Sequence, residues 1–336
     1  MTHYSYLTKV CIISLSLFLI FGSFNYFVNP YSVFNVERIN GFNAIKPESS
    51  NRVRIFKKYQ PVYVQPNLLI IGNSRVEMGL DPNHKSFNKK LTVYNLGVPG
   101  LGVISQLQYA QNVIENTDIQ EVLIAVDFSD FLTKVNYKFK PYSLNLSPFS
   151  DKYGALWSLD SLKASITTIF KQNQFEANRL ENGFNPAKDY RPIIKFEGQA
   201  VLFKQKIEML NNMFKNKVWD EELMLSSEYS SLSILQRHIR GWMKKGIKVN
   251  IFINPYHQEY YTTMAENDLL DSFNAWRILM KRIFLSKINF CDFTNLGHEK
   301  SDDKLTDNEL KYFWEPAHYK KELGDIMIPR ILNGCT

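Results

Sequence analysis

The sequence predicts an α/β fold: a parallel sheet sandwiched by helices, carrying one N-terminal transmembrane helix and a mostly helical insertion. Three observations predict it. Short unbroken apolar runs, such as Asn67-Leu68-Leu69-Ile70-Ile71, read as strands buried on both faces. Segments of helical spacing alternate with them, as βαβ units require. An uncharged apolar stretch lies near the N-terminus. With 336 residues and 45% hydrophobic content, the chain has enough apolar material for one sizeable core, or one core with a large insertion, and disorder is not expected.

The N-terminal stretch runs from Val10 to about Val28 and approaches the roughly 20 residues that cross a bilayer as a helix. Lys9 and the α-amino group precede it, which places residues 1–8 in the cytoplasm and the domain beyond residue 28 on the far side. The bulky Phe24, Tyr26 and Phe27 continue where a signal peptidase would need small residues, so an uncleaved signal anchor over 9–28 is expected. The basic residues between Arg38 and Lys58 argue against that orientation, but most lie far from the membrane edge.

Residues 29–65 hold Pro30, Pro47 and Pro61 among mixed charges and asparagines and read as a linker. The domain proper is expected over 66–336. Strand-like runs at Leu91–Tyr94 and Glu121–Val126 enclose a helical segment at Ile104–Ile114. From 131 to 226 the sheet rhythm stops, and helices near 157–172 and 200–216 indicate an insertion. The rhythm returns with a helix near 229–245, a strand at Val249–Ile253, a helix near 268–286, a strand near Ile288–Cys291 and a closing helix near 320–333.

The formal charge of +7 is spread among acids without a long basic run, which argues against nucleic acid as a partner. Cys11 lies in the apolar stretch. Cys291 and Cys335 are candidates for one disulfide in an exported domain, although two cysteines alone do not establish a bridge. No CxxC or His-rich spacing suggests a metal site, and no organic cofactor is implied.

In parallel sheets ligands bind at the carboxyl ends of the strands, so the residues there carry the functional argument. After the first strand stands Gly72-Asn73-Ser74-Arg75, where a serine opening a helix exposes its hydroxyl and a free N–H; an N-cap serine gives the same pattern. After the second comes Asn95-Leu96-Gly97-Val98-Pro99-Gly100, whose glycines let the backbone approach a ligand. A phosphate loop fits it poorly, because the G-x-G-x-x-G spacing is missing. Near the C-terminus, Trp314-Glu315-Pro316-Ala317-His318 places an acid where it can hold Nδ1 of a histidine and leave Nε2 free to take a serine proton. Asn254-Pro255-Tyr256-His257 follows the fourth strand. Asn254 there is a candidate substrate contact and His257 an alternative base, against the plain reading of a turn.

Together these segments resemble the SGNH (GDSL-like) hydrolase and acyltransferase superfamily, and most closely its envelope-associated, membrane-anchored members. The resemblance spans residues 66–130 and 246–333. It implies an SGNH-like (flavodoxin-like) sheet, Ser74 as nucleophile, His318 as general base and Glu315 as orienting carboxylate. The oxyanion donors would be Ser74, Gly100 and Ser129, the last replacing the family's asparagine. Arg75 joins Asn254 and His257 as a candidate substrate contact, with Asp127 or Asp130 orienting it, and neither carboxylate should face the oxyanion. Asn73 and Glu315 stand where the family has aspartates. The implied function is a serine esterase or O-acyltransferase on an envelope glycan or lipid, with the membrane and, for a transferase, a membrane acyl-donor protein as partners. A non-catalytic, membrane-tethered glycan-binding module on the same fold is the competing reading.

Overall fold

The computed structural model describes residues 3–144, 148–173, 179–301 and 309–335, which form two compact units: one from 1–63 with 145–180, the other from 64–144 with 181–336. The expected domain boundaries also take in residues 1–2, 145–147, 174–178, 302–308 and 336, which lie outside the described residues.

In the first unit a single helix, His3–Val28, contains a stretch long and apolar enough to cross a membrane. It ends where Asn29 turns left-handed (φ 48°) and the buried Lys46 ammonium donates to the Val28 carbonyl at 2.9 Å, satisfying a terminal acceptor. Residues 29–65 are folded rather than a linker. They include the helix Val53–Val64, whose Lys58 and Tyr59 both bond Asp151 (2.6 and 3.0 Å). Asp151 lies on the helix Pro148–Trp157, which a second helix, Leu159–Phe170, follows directly. The insertion expected over 131–226 is therefore divided, because part of it completes the N-terminal unit and the rest joins the sheet.

The second unit is built on five parallel strands: β1 (Leu68–Gly72), β2 (Val93–Gly97), β3 (Glu121–Val126), and, after a small antiparallel pair of β4 (Thr133–Lys134) and β5 (Lys217–Val218), β6 (Lys248–Ile253) and β7 (Asn289–Asp292). Their order is β2-β1-β3-β6-β7, so the chain leaves β1 in opposite directions and opens a crevice at the carboxyl ends of β1 and β3. β1 and β2 are buried at every residue, as apolar runs covered on both faces should be. Alternate residues such as Leu68, Ile70, Leu123 and Phe252 pack with Leu323 and Met327 of the closing helix Lys321–Asn333. The helices Val103–Ile114 and Ser231–Lys244 pack together beside the sheet, where the Trp242 indole donates to Gln111 at 2.7 Å. A last antiparallel ribbon, β8 (Phe313–Glu315) and β9 (His318–Tyr319), precedes the closing helix.

Cys291 of β7 and Cys335 form a disulfide across 44 residues. It pins the end of the closing helix to the edge strand. On loop-closure entropy, Cys335→Ser should lower unfolding free energy by about 4 kcal/mol, to be read from urea denaturation with and without reductant.

Candidate active site

β1 ends at Gly72 and the chain turns into the short helix Ser74–Gly79. Asn73 caps it, its Oδ1 accepting the Arg75 N–H at 3.0 Å, so Ser74 opens the helix at the mouth of the crevice. From Gly72 to Leu80 every residue is buried except Ser74. Gly97 at the end of β2 makes this possible: a Cβ there would lie 2.6 Å from the Glu77 nitrogen and 2.8 Å from the Asn73 oxygen, both backbone atoms. Asn95 is part of β2 rather than of the following loop, and its amide bonds the carbonyls of Val76 and Leu80, both at 2.8 Å.

The Ser74 hydroxyl lies 2.7 Å from Nε2 of His318. On the other side of the ring, Nδ1 meets Glu315 Oε1. The longer arm of this glutamate is held by its second oxygen, which accepts the Ala317 N–H at 2.8 Å. The two-residue turn between β8 and β9 brings acid and imidazole together. Burial is the main cause that lowers the His318 pKa below its ordinary value, with Glu315 opposing. Burial alone would raise Glu315, but His318, Lys206 and the Ala317 N–H outweigh it and hold the carboxyl low. The result is a neutral imidazole with Nε2 free to accept, beside an ionised carboxylate.

A cavity of about 220 Å³ opens over this row. Ser74 and His318 line it with Gly100 and Ser129, and Gly100 has the left-handed φ of +70° that suits glycine. The helix Gln199–Phe214 closes the other side with Met209, Leu210 and Met213, an apolar wall. Lys206 of the same helix places Nζ 3.4 Å from Glu315 Oε1, and burial lowers its pKa even though Glu315 pulls the other way. A larger cavity of about 680 Å³, beside Trp314 and Lys320, includes neither Ser74 nor His318.

Beneath the serine, Asp127 at the end of β3 gathers four donors: Asn73 Nδ2 (2.6 Å), the Tyr256 hydroxyl (2.5 Å), Asn254 Nδ2 (3.1 Å) and Arg75 Nη1 (3.3 Å). Arg75, a candidate substrate contact, is largely buried yet still borders the cavity. Its guanidinium lies over the Tyr256 and Tyr260 rings, and its Nε donates to the Ala317 carbonyl at 3.0 Å, so it ties the Ser74 turn to the His318 turn. Asn254 is fully buried between Asp127 and the Tyr319 hydroxyl, and lines no part of the cavity. His257 caps the helix Gln258–Glu266 through Nδ1 and packs edge-on against Phe203 and Phe313. Neither Asn254 nor His257 reaches the substrate space, since a strand-end side chain turns to the core or to the crevice according to its register. Asp130, a carboxylate expected not to face the oxyanion, borders the cavity. Burial and then Asp127 push its carboxyl well above the usual range, which favours its uncharged form and weakens the repulsion argument against it.

The Asp127 cluster suits an asparagine at position 73. The side chain accepts from the Arg75 N–H and donates to a carboxylate, which the amide does and an ionised aspartate, an acceptor only, does not. Asn73→Asp would set two carboxylates face to face, and should cost about 1–3 kcal/mol of stability in urea unfolding, with a smaller deficit at about pH 5 than at about pH 8 because a shared proton relieves the repulsion.

Sequence reasoning missed Lys206 and the apolar wall, which lie in a segment with no motif. Among the described residues, no group of three or more His, Cys, Asp or Glu side chains is placed to hold a metal ion. Comparison with protein-family models and with curated proteins finds no match for the chain.

Proposed function

We propose that the chain is an SGNH-type serine esterase or O-acyltransferase, acting on an ester of an envelope glycan or lipid. The observation that carries this reading is the unbroken row Ser74 Oγ, His318 and Glu315, with 2.7 Å between Oγ and Nε2. In the reaction, Nε2 takes the hydroxyl proton as Oγ attacks the acyl carbon. The negative charge that develops on the carbonyl oxygen is met by the backbone N–H groups of Ser74 and Gly100 and the Ser129 hydroxyl. The imidazolium, stabilised by Glu315, returns the proton to the departing alcohol and leaves an acyl-serine. Water or a sugar hydroxyl then loses its proton to His318 as its oxygen attacks the acyl carbon, and the imidazolium returns that proton to Ser74 Oγ as the acyl–Oγ bond breaks. The small cavity and its Met209, Leu210 and Met213 wall suit a short acyl chain.

The reading places the N-terminus in the cytoplasm and the rest of the chain beyond the membrane. Lys9, on the N-terminal side of the uncharged stretch of the helix, and the Cys291–Cys335 disulfide, a bond of oxidising compartments, support that orientation. The test of the chemistry is covalent labelling of the full chain by an alkyl fluorophosphonate. Stoichiometric reaction at Ser74, lost in Ser74→Ala, is expected; labelling that survives that substitution, or no labelling of the native chain, rejects the proposal.

A further inference from the structure

The helix His3–Val28 is exposed from Tyr6 to Ile20 and packed on one side thereafter, with Gly22, Asn25 and Val28 buried and Ser23, Tyr26 and Phe27 exposed, and the partners that pack on it belong to its own unit. Trp157 stacks on Phe18 with ring centroids 4.9 Å apart. Gly22 leaves room for that indole, since a Cβ there would lie 2.7 Å from its nitrogen. One turn on, Asn25 donates to the Leu156 carbonyl and accepts from the Ser165 hydroxyl, both at 2.8 Å. The helices Pro148–Trp157 and Leu159–Phe170 are thus clasped to the apolar helix from Phe18 onward.

The length of the helix decides what this means. Between Lys9 and the first clasped residue, Phe18, the uncharged helix is only about 12 Å long at 1.5 Å per residue. The hydrocarbon core of a bilayer is roughly 30 Å thick. From Val10 to Val28 the helix measures about 28 Å, so spanning requires the hydrocarbon to reach the clasped end. Whatever packs on that end must then enter the bilayer with it.

The outer surface of the helix pair has the matching chemistry. Leu159, Ile166 and Phe170 are 79, 43 and 75% exposed, and their spacing puts them on one face. Phe149 (77% exposed) and Tyr153 continue through Trp157 to Phe18 as a row of rings with successive centroids 6.2, 5.4 and 4.9 Å apart. The acids are turned to partners, Asp151 to Lys58 and Asp160 to Arg52. The exposed Lys152 and Lys163 have stems long enough to carry their charge to the headgroups. Such a surface would be unusual in water and is ordinary at a lipid interface.

We infer that the helices Pro148–Trp157 and Leu159–Phe170 are embedded in the leaflet at the C-terminal end of the anchor helix, with Leu159, Ile166 and Phe170 in the acyl chains. The inference rests on the anchor reading and is independent of the serine chemistry. It is tested on the full chain carrying Cys11→Ser, reconstituted in vesicles of phosphatidylethanolamine and phosphatidylglycerol. Single cysteines at Leu15, Leu159, Ile166 or Phe170 are spin-labelled, and collision with oxygen is compared with collision with a water-soluble nickel chelate. All four labels are expected to meet oxygen more often than nickel. If Leu15 does so while the other three meet nickel, the anchor stands and the embedded pair is rejected. Shielding of those three from both agents would mean that protein, such as a second copy, covers the face, which also rejects it. Nickel access at Leu15 as well would remove the anchor and the inference together.

Discussion

Ser74→Ala and His318→Ala should each lower ester turnover by about a million-fold, and the double variant should be hardly worse than either alone, because nucleophile and base act as one unit. Both side chains lie at the mouth of the crevice, and removing either leaves the Asp127 cluster below intact. Unfolding curves of the variants should therefore stay close to that of the native chain. The measurement is the steady-state rate with a chromogenic short-chain ester, with and without an oligosaccharide acceptor. Acceptor-dependent acceleration would indicate transfer, and its absence hydrolysis. A Ser74→Ala protein with native activity would reject the site.

Glu315→Gln is the second large effect, with an expected loss of about ten-thousand-fold in turnover. The amide that faces Nδ1 either presents N–H to N–H or forces the tautomer that puts the hydrogen on Nε2, and a proton there cannot accept from serine. The pH profile adds a readout that a merely structural glutamate would not move. The proposed base acts as the neutral ring, so activity should be present above the His318 pKa and be lost as pH falls through it. Because burial lowers that pKa, the acid limb of the native chain's activity should lie below the ordinary imidazole value of about 6.5. Glu315 raises the His318 pKa, so in Glu315→Gln the limb should move lower still while the plateau drops. An acid limb unmoved by Glu315→Gln would assign the carboxylate to support of the turn alone. Lys206, on the same carboxylate oxygen, should couple to this variant in a double-mutant cycle.

What the sequence determined by itself was local. Apolar runs marked β1, β3 and β6, broken in β6 by Asn250, because a strand covered on both faces admits few polar residues whatever surrounds it. The apolar composition of the N-terminal helix, the serine opening a helix after β1, and the acid three residues before His318 were equally legible, since each depends on neighbours within a few positions. The tertiary structure decided everything that depends on long-range contacts. Residues 29–65 became part of a folded unit because Lys58 and Tyr59 find Asp151, some ninety positions away. Cys291 was joined to Cys335 by the closing helix returning to β7. Asn254 was drawn away from the cavity that its strand-end position suggested, because the register of β3 and β6 sets Asp127 within its reach, whereas Arg75 bonds the same carboxylate and still lines the cavity. Lys206 had no signature at all, being an ordinary helical lysine until its helix closes over Glu315 and brings its ammonium 3.4 Å from the carboxylate.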